Sequence, residues 1–499
     1  MILGIDLGTT YSVASYLDEN GEPCVITNME GSQTTPSVVF FESNNSVIVG
    51  QSAKDNSILD SNNVVSAVKN MMGKKCTYKS TYGIEYSPEM ISSFILKKIV
   101  SDAEKRLDLT QKIKDVIITI PAYFNDSQRK ATEDAAKIAG LNLLATINEP
   151  TAAALYYAVK SKLNHANILV YDIGGGTFDV TIIRIDDEEV VVKSTGGLLG
   201  VGGRFFDEEI VDYIVDFFYN IHNIDLSDDE YFDIYQELFV KAEKAKIQLS
   251  NQTKTTVPIR VGNIKENVVL TREKIEEIVA RLYSRTEYTV KKALNDAKMQ
   301  VNELDKVLLV GGTSKIPYIE RKISELIGQQ PSHEVHPDLV VAQGAAIYGN
   351  QIMGKNQIKK ISDVCSHSIG ILMYDTGRRQ RYNCIQIKRN SLLPIEKKVY
   401  AKTNVDNQEA INIDVTEGEF EEITDVSIIF SDSLPLPDGV KAGTRIEIVL
   451  SLDKSQLVHI YIEIPSIEYK KEFSFERTAN LSIEDIERYT SMVLDCEIN

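Results

Sequence analysis

The sequence contains no tryptophan and only five cysteines in 499 residues. Cys24, Cys76, Cys365, Cys384 and Cys496 are scattered, form no C-x-x-C pair and match no zinc-site spacing. An odd, scattered set points to free thiols in a reducing compartment rather than to a disulfide framework. No apolar run approaches the roughly 18 residues that a membrane-spanning helix needs. A strand-like run from Ile2 leaves no room for a secretory leader, so the expected location is the cytoplasm. Positive charge is short as well: 54 Lys and Arg stand against 72 Asp and Glu, for a net charge of −18. Such a surface repels phosphates, which argues against nucleic acids and anionic membranes as partners. The remaining composition, 43% apolar and 25% charged, is ordinary for a globular protein, and the chain is long enough for more than one domain.

What is present centres on Val170-Tyr171-Asp172-Ile173-Gly174-Gly175-Gly176-Thr177-Phe178-Asp179. Apolar and alternating runs flank an acid, three glycines and a threonine, the pattern of a β-hairpin whose turn lets an anion lie against bare N–H groups. An acid beside a phosphate cradle calls for a cation between them, usually Mg²⁺ with retained waters. Alone, the stretch also reads as an ordinary tight hairpin. Ile5-Asp6-Leu7-Gly8-Thr9-Thr10-Tyr11-Ser12 repeats the layout near the N-terminus. Two such turns predict a duplicated half-domain, each half offering one loop to a shared site.

Elsewhere, helical period and caps predict helices over 87–107, 126–139, 206–218, 231–249, 272–298 and 318–327, and one from His336-Pro337-Asp338 to about Ile352. Gly196-Gly197 and Gly200 to Gly203 read as a second glycine-rich loop. Gly311-Gly312-Thr313-Ser314-Lys315 joins a buried strand to a helix, which places ligand at a helix N-terminus. By themselves, Lys69 reads as a solvated lysine and Glu149 as a helix-capping acid. Strand–helix alternation argues α/β for 1–355, and 356–367 reads as a loose linker. Then helices vanish. Short alternating runs at 368–374, 382–388, 396–401, 410–416, 425–430, 445–452, 459–464 and 472–475 predict an antiparallel β-sandwich over 368–478. Ser482-Ile483-Glu484-Asp485 opens a helix in 479–499 that ends with the chain.

Three stretches, Ile5 to Ser12, Asp172 to Asp179 and Leu309 to Pro317, together resemble the signatures of the heat shock protein 70 (DnaK-type) chaperones. So do Ile120-Pro121-Ala122-Tyr123-Phe124-Asn125-Asp126, Asn148-Glu149-Pro150-Thr151, Ile387-Lys388-Arg389-Asn390 and Thr416-Glu417-Gly418-Glu419, and Asp363-Val364-Cys365 leans toward the HscC-like branch. The resemblance implies an actin-like (ribonuclease-H-like, duplicated) ATPase domain followed by a β-sandwich that binds extended apolar peptides. It implies ATP or ADP with Mg²⁺, and K⁺ as a further cation. Unfolded polypeptides, a J-domain co-chaperone and a nucleotide exchange factor are the implied partners.

Carried over by position, Asp6 and Asp172 would hold the metal shell. Gly8, Thr9, Thr10, Tyr11, Gly174, Gly175, Gly176 and Thr177 would cradle phosphates. Lys69, Glu149, Thr177 and Asp179 would serve catalysis. Glu243, Lys246, Ser250, Gly311, Gly312, Thr313, Ser314, Lys315 and Asp338 would line the adenosine pocket. Pro121, Arg129 and Glu149 match an interdomain relay, and Ile371, Met373, Tyr374, Asn404, Ile411 and Ile413 match a peptide cleft.

Four departures stand out. Ile247 and Lys315 occupy positions where adenine-stacking arginines are usual, and Arg204 replaces an acid. The linker lacks an unbroken leucine run. The sequence stops where a helical lid would begin, from which fast peptide exchange is expected. Arg378, Arg379 and Arg381 form a basic loop near the cleft. The competing reading is a nucleotide-binding module with little turnover. A filament protein or sugar kinase on the same fold leaves the β-rich part unexplained.

Overall fold

The computed structural model describes all residues except 58, 163, 355–358, 376–378 and 474–479. Gln357 and Ile358 of the expected linker, Arg378 of the basic loop and the end of the last expected strand lie outside the described residues.

Two mixed sheets organise the first part of the chain. In one, the strands Ile2–Asp6, Tyr11–Leu17 and Pro23–Val25 form an antiparallel meander, with Asp115–Ile120 and Asn142–Asn148 added in parallel beside Ile2–Asp6. In the other, Ala166–Ile173, Thr177–Ile185 and Glu189–Leu199 form the meander, with Lys306–Val310 parallel to Ala166–Ile173. The central strands carry near-continuous apolar runs because helices cover their faces. Leu169, Tyr171, Val180 and Ile182 are fully buried in one cluster with the helices Gly203–His222 and Arg272–Asp296. Helices Glu149–Lys160 and Val340–Ile352 cross so closely that a Cβ on Gly344 would collide with the backbone of Ala152. Asp6 ends its strand and Asp172 lies one residue before the end of its own. The same sheet position thus aims both acids into one cleft.

The β-rich part forms two four-stranded antiparallel sheets, ordered Gln380–Ile387, Ile369–Asp375, Ala410–Glu417, Ser427–Pro435 and Ile395–Lys402, Arg445–Leu452, Val458–Ile464, Tyr469–Phe473. Ile387, Val415, Ile446 and Ile460, from both sheets, are fully buried in one shared core.

Several expectations need correction. The helix expected over 206–218 runs Gly203–His222. Gly196 and Gly197 belong to the strand Glu189–Leu199, not to a loop; a Cβ on Gly197 would lie 2.5 Å from the Tyr123 Cβ, so the missing side chain makes room for that ring. The linker is not loose throughout: Lys360–Ser362 adds to Glu189–Leu199 as a parallel strand, its extension set by that partner. The last helix, Ile483–Asp495, does not reach the chain end. Glu497–Ile498 pairs in parallel with Ser46–Val49, and Val493 is fully buried against the first lobe.

The β-rich part is seated on the α/β part. The Asp126 N–H points at the Glu417 carboxylate (3.4 Å to each oxygen), and the Val458 N–H donates to Asp126 Oδ1 at 3.0 Å. His367 Nε2 meets the Tyr123 carbonyl at 2.9 Å, and the two rings lie 4.2 Å apart. Arg389 pairs with Asp296, and the Thr195 N–H donates to Asn390 Oδ1 at 3.1 Å.

Candidate active site

A cleft of about 510 Å³ opens between the two mixed sheets. Asp6, Gly8, Thr9, Thr10, Tyr11, Lys69, Glu149, Asp172, Gly174, Gly175, Thr177, Glu243, Lys246, Ser250, Gly311, Gly312, Thr313, Lys315 and Asp338 all line it. Residues from two hairpins, three helices and a strand–helix junction therefore share one surface. Gly176, Ser314 and Asp179, also expected there, do not line it. Gly176 backs onto the Asn70 carboxamide, and the Ser314 hydroxyl turns to the Gly311 carbonyl at 2.7 Å. Asp179 is held one layer behind, accepting from the Tyr123 N–H at 2.9 Å.

One end is rich in carboxylates. Lys69 is buried, not solvated, and its Nζ donates to Glu149 Oε1 at 2.6 Å. Burial works against its charge, but Glu149 and Asp6 prevail and lift its pKa above the usual lysine value. Asp6, accepting from the Thr119 hydroxyl at 3.2 Å, is pushed up to about 7 by burial and by Glu149. Burial and the same neighbour raise Asp172 well above the ordinary range and Asp179 to about 7. Acids raised by burial and by one another's charge make a site that gains from a cation. No group of three or more metal-ligating side chains occurs among the described residues. Mg²⁺ suits that donor set, because it keeps its waters and uses one or two carboxylates beside phosphates. The loops leave matching room: a Cβ on Gly175 would collide with the Thr10 hydroxyl, and one on Gly202 would sit 2.7 Å from the Gly175 carbonyl.

The other end is built from ion pairs. Lys246 donates to Asp207 at 2.8 Å and to the Gly203 carbonyl at 2.6 Å, while the Thr313 hydroxyl donates to the Gly174 carbonyl at 2.8 Å. Lys315 pairs with Asp338. Lys54 reaches across the cleft to Glu243 at 2.5 Å and to the Tyr11 hydroxyl at 3.2 Å. Ile247 lines the pocket and is 53% exposed, an open apolar face. Lys54 and Asp207 escaped the sequence reading. Their roles come from partners about 190 and 40 residues away, and no local pattern announces them.

Pro121 and Arg129 lie outside the cleft. The buried Arg129 guanidinium donates to the carbonyls of Phe124 and Ala122 (3.0 Å each), to Asn148 Oδ1 at 3.1 Å and to the Ser366 hydroxyl at 3.3 Å. Asn148 immediately precedes Glu149 and also donates to Asp363 at 2.9 Å. In the β-rich part, Ile371 and Ile413 are buried in the core, Met373 and Ile411 lie at its edge, and Tyr374 and Asn404 are exposed.

A family model described as "Hsp70 protein" matches residues 2–82 and 76–498. A protein named "Chaperone protein dnaK" from Cyanidioschyzon merolae (strain NIES-3377 / 10D) is 36% identical over 531 residues, covering 100% of this chain and 85% of that protein. The chain belongs to the Hsp70 family, whose members are ATP-dependent chaperones that hydrolyse ATP and bind unfolded polypeptides.

Proposed function

We propose that the cleft is the ATPase site and that the seated β-rich part couples it to peptide binding. The convergence of Asp6, Asp172, Lys69 and Glu149 at one end of the cleft carries this reading. In it, residues 1–355 form the actin-like ATPase domain, 356–367 the linker, 368–478 the β-sandwich and 479–499 a docked tail. Gly8, Thr9, Thr10, Tyr11, Gly174, Gly175 and Thr177 present N–H and hydroxyl donors to the phosphates. Asp6 and Asp172 would hold Mg²⁺. When bound, Mg²⁺ neutralises phosphate charge, the main requirement of phosphoryl transfer. Lys69, fixed by Glu149, sets a positive charge beside the terminal phosphate. Asp179 sits behind Glu149 and orients the attacking water's surroundings. Glu243, Lys246, Ser250, Gly311, Gly312, Thr313, Lys315 and Asp338 enclose the nucleoside, with Ser314 bracing the loop.

Arg129 bonds both Asn148, next to Glu149, and Ser366, at the end of the linker. That supports it as the relay between the two. Met373 and Ile411 with Tyr374 and Asn404 form the peptide rim over Ile371 and Ile413, and main-chain bonding with an apolar pocket would supply affinity. The family likeness further supports K⁺ beside Mg²⁺, a J-domain co-chaperone, a nucleotide exchange factor, the cytoplasm and a part in stress response.

Single-turnover hydrolysis tests the assignment. Lys69→Ala should slow it at least about 100-fold with nucleotide binding largely kept, as for loss of a preorganised electrostatic partner. An unchanged rate would overturn the catalytic assignment.

A further inference from the structure

The cations of the cleft are not equivalent. Lys69 is held by Glu149 at 2.6 Å, Lys246 by Asp207 at 2.8 Å, Lys54 by Glu243 at 2.5 Å, and Lys315 by Asp338. Each is committed to a carboxylate. Arg204 is different. Its nearest carboxylate is Glu208, one helical turn on, at 3.5 Å from Nε, and both side chains are 40% exposed. That geometry is a loose, solvated pair worth little. Among the described residues, its NH1 donates to the neutral Ser66 hydroxyl alone, at 3.2 Å.

The position is nevertheless well defined. Gly203–His222 begins one residue earlier, the Gly203 and Arg204 N–H groups donate to the Gly174 and Gly175 carbonyls at 2.9 Å each, and Arg204 lines the cleft. Ser66 belongs to Val64–Ser66, which pairs with Val38–Ser43 and leads to Lys69. The guanidinium therefore spans the cleft from the glycine turn of one lobe to the Lys69 segment of the other. It is a planar fork of donors, suited to bidentate phosphate contact, on a backbone fixed against the phosphate turn.

Resting on the assignment of the cleft as the nucleotide site, we infer that Arg204 is a further substrate-binding residue, one that takes the terminal phosphate of a nucleoside triphosphate. On binding it exchanges its weak Glu208 and Ser66 contacts for phosphate oxygens. A diphosphate lacks that group, so Arg204 sets preference for the triphosphate.

The experiment is calorimetric titration of the full chain with Mg·AMP-PNP and Mg·ADP. Arg204→Ala should weaken AMP-PNP at least about tenfold and ADP less than about twofold. Arg204→Lys, which keeps the charge but loses the fork, should fall between. Equal losses for both ligands, or no loss for either, would overturn the inference, and thermal melting of each variant checks folding. Gly202→Ala, which pushes on the Gly174–Gly175 backbone, separates the two levels. If it abolishes both ligands while Arg204→Ala leaves their ratio unchanged, only the Arg204 role fails. If it leaves both intact, the cleft assignment fails and this inference with it.

Discussion

Replacing Glu417 by Gln should tighten the seating of the β-rich part and reshape its pH dependence. Glu417 is buried where the two parts meet, facing Asp126 and Glu419, and burial together with Asp126 pushes its carboxyl up to about 8. Its value when solvated is 4.5. Seated, it is therefore protonated near pH 7; released, it is ionised. A raised carboxylate contributes most below its free pKa, and that contribution is lost as pH climbs from 4.5 to 8. At pH 7 the cost to seating is about 3 kcal/mol, at about 1.4 kcal/mol for each tenfold difference in proton affinity.

His367 works in the opposite direction. Burial against Tyr123 lowers it from 6.5 to about 4, so seating weakens as pH falls through that window. Between about 4.5 and 6.5 the two effects cancel, and above 6.5 Glu417 acts alone. The wild-type equilibrium should therefore be flat from pH 5 to 6.5 and weaken about tenfold per pH unit from 6.5 to 8. Glu417→Gln keeps the shape and removes the charge. It should be flat above 6.5, seat several hundred times more tightly at pH 7.5, and weaken only on the acid side. Energy transfer between one fluorophore on each part, read at saturating nucleotide across pH 5 to 8, measures this. A variant with the wild-type slope above pH 6.5 would refute the reasoning.

Two further outcomes follow from the cleft. Lys54→Ala removes the ion pair to Glu243 that closes its rim; at about 1 kcal/mol for a partly buried pair, nucleotide release in stopped flow should quicken about fivefold. Unchanged release would mean the pair does not gate exit. Ile247→Arg places a stacking guanidinium beside the base, and ADP affinity should rise about fivefold, from about 1 kcal/mol of cation–π contact; a loss in calorimetry would show that the open apolar face is itself the better partner.

Much of this architecture is legible in the residues because it is local. The paired Asp-x-Gly turns mark equivalent strand ends in two like sheets, since the turn and its acid are contiguous in the chain. Six of the eight runs in the β-rich part lie within two residues of the strands, because alternation reports a half-buried face directly. What escapes is long-range. Lys69 reads as a surface lysine until Glu149, 80 residues on, is beside it. Arg389 finds Asp296, and Glu417 finds Asp126, only through docking. Lys360–Ser362 has no strand pattern of its own and is extended by pairing with Glu189–Leu199. Asp207 looks like one more surface acid on an amphipathic helix until Lys246 lies against it. Gly197 reads as a loop residue although it serves a strand, because glycine marks both a turn and a close approach.

Coupling requires that the cleft and the β-rich part act as one machine through the docked surface and the linker strand. The most direct measurement is the release rate of a labelled apolar heptapeptide on adding Mg·ATP compared with Mg·ADP. Release should be markedly faster with ATP, and that difference should vanish in Arg129→Ala. Equal rates with the two nucleotides in the wild type would contradict the coupling.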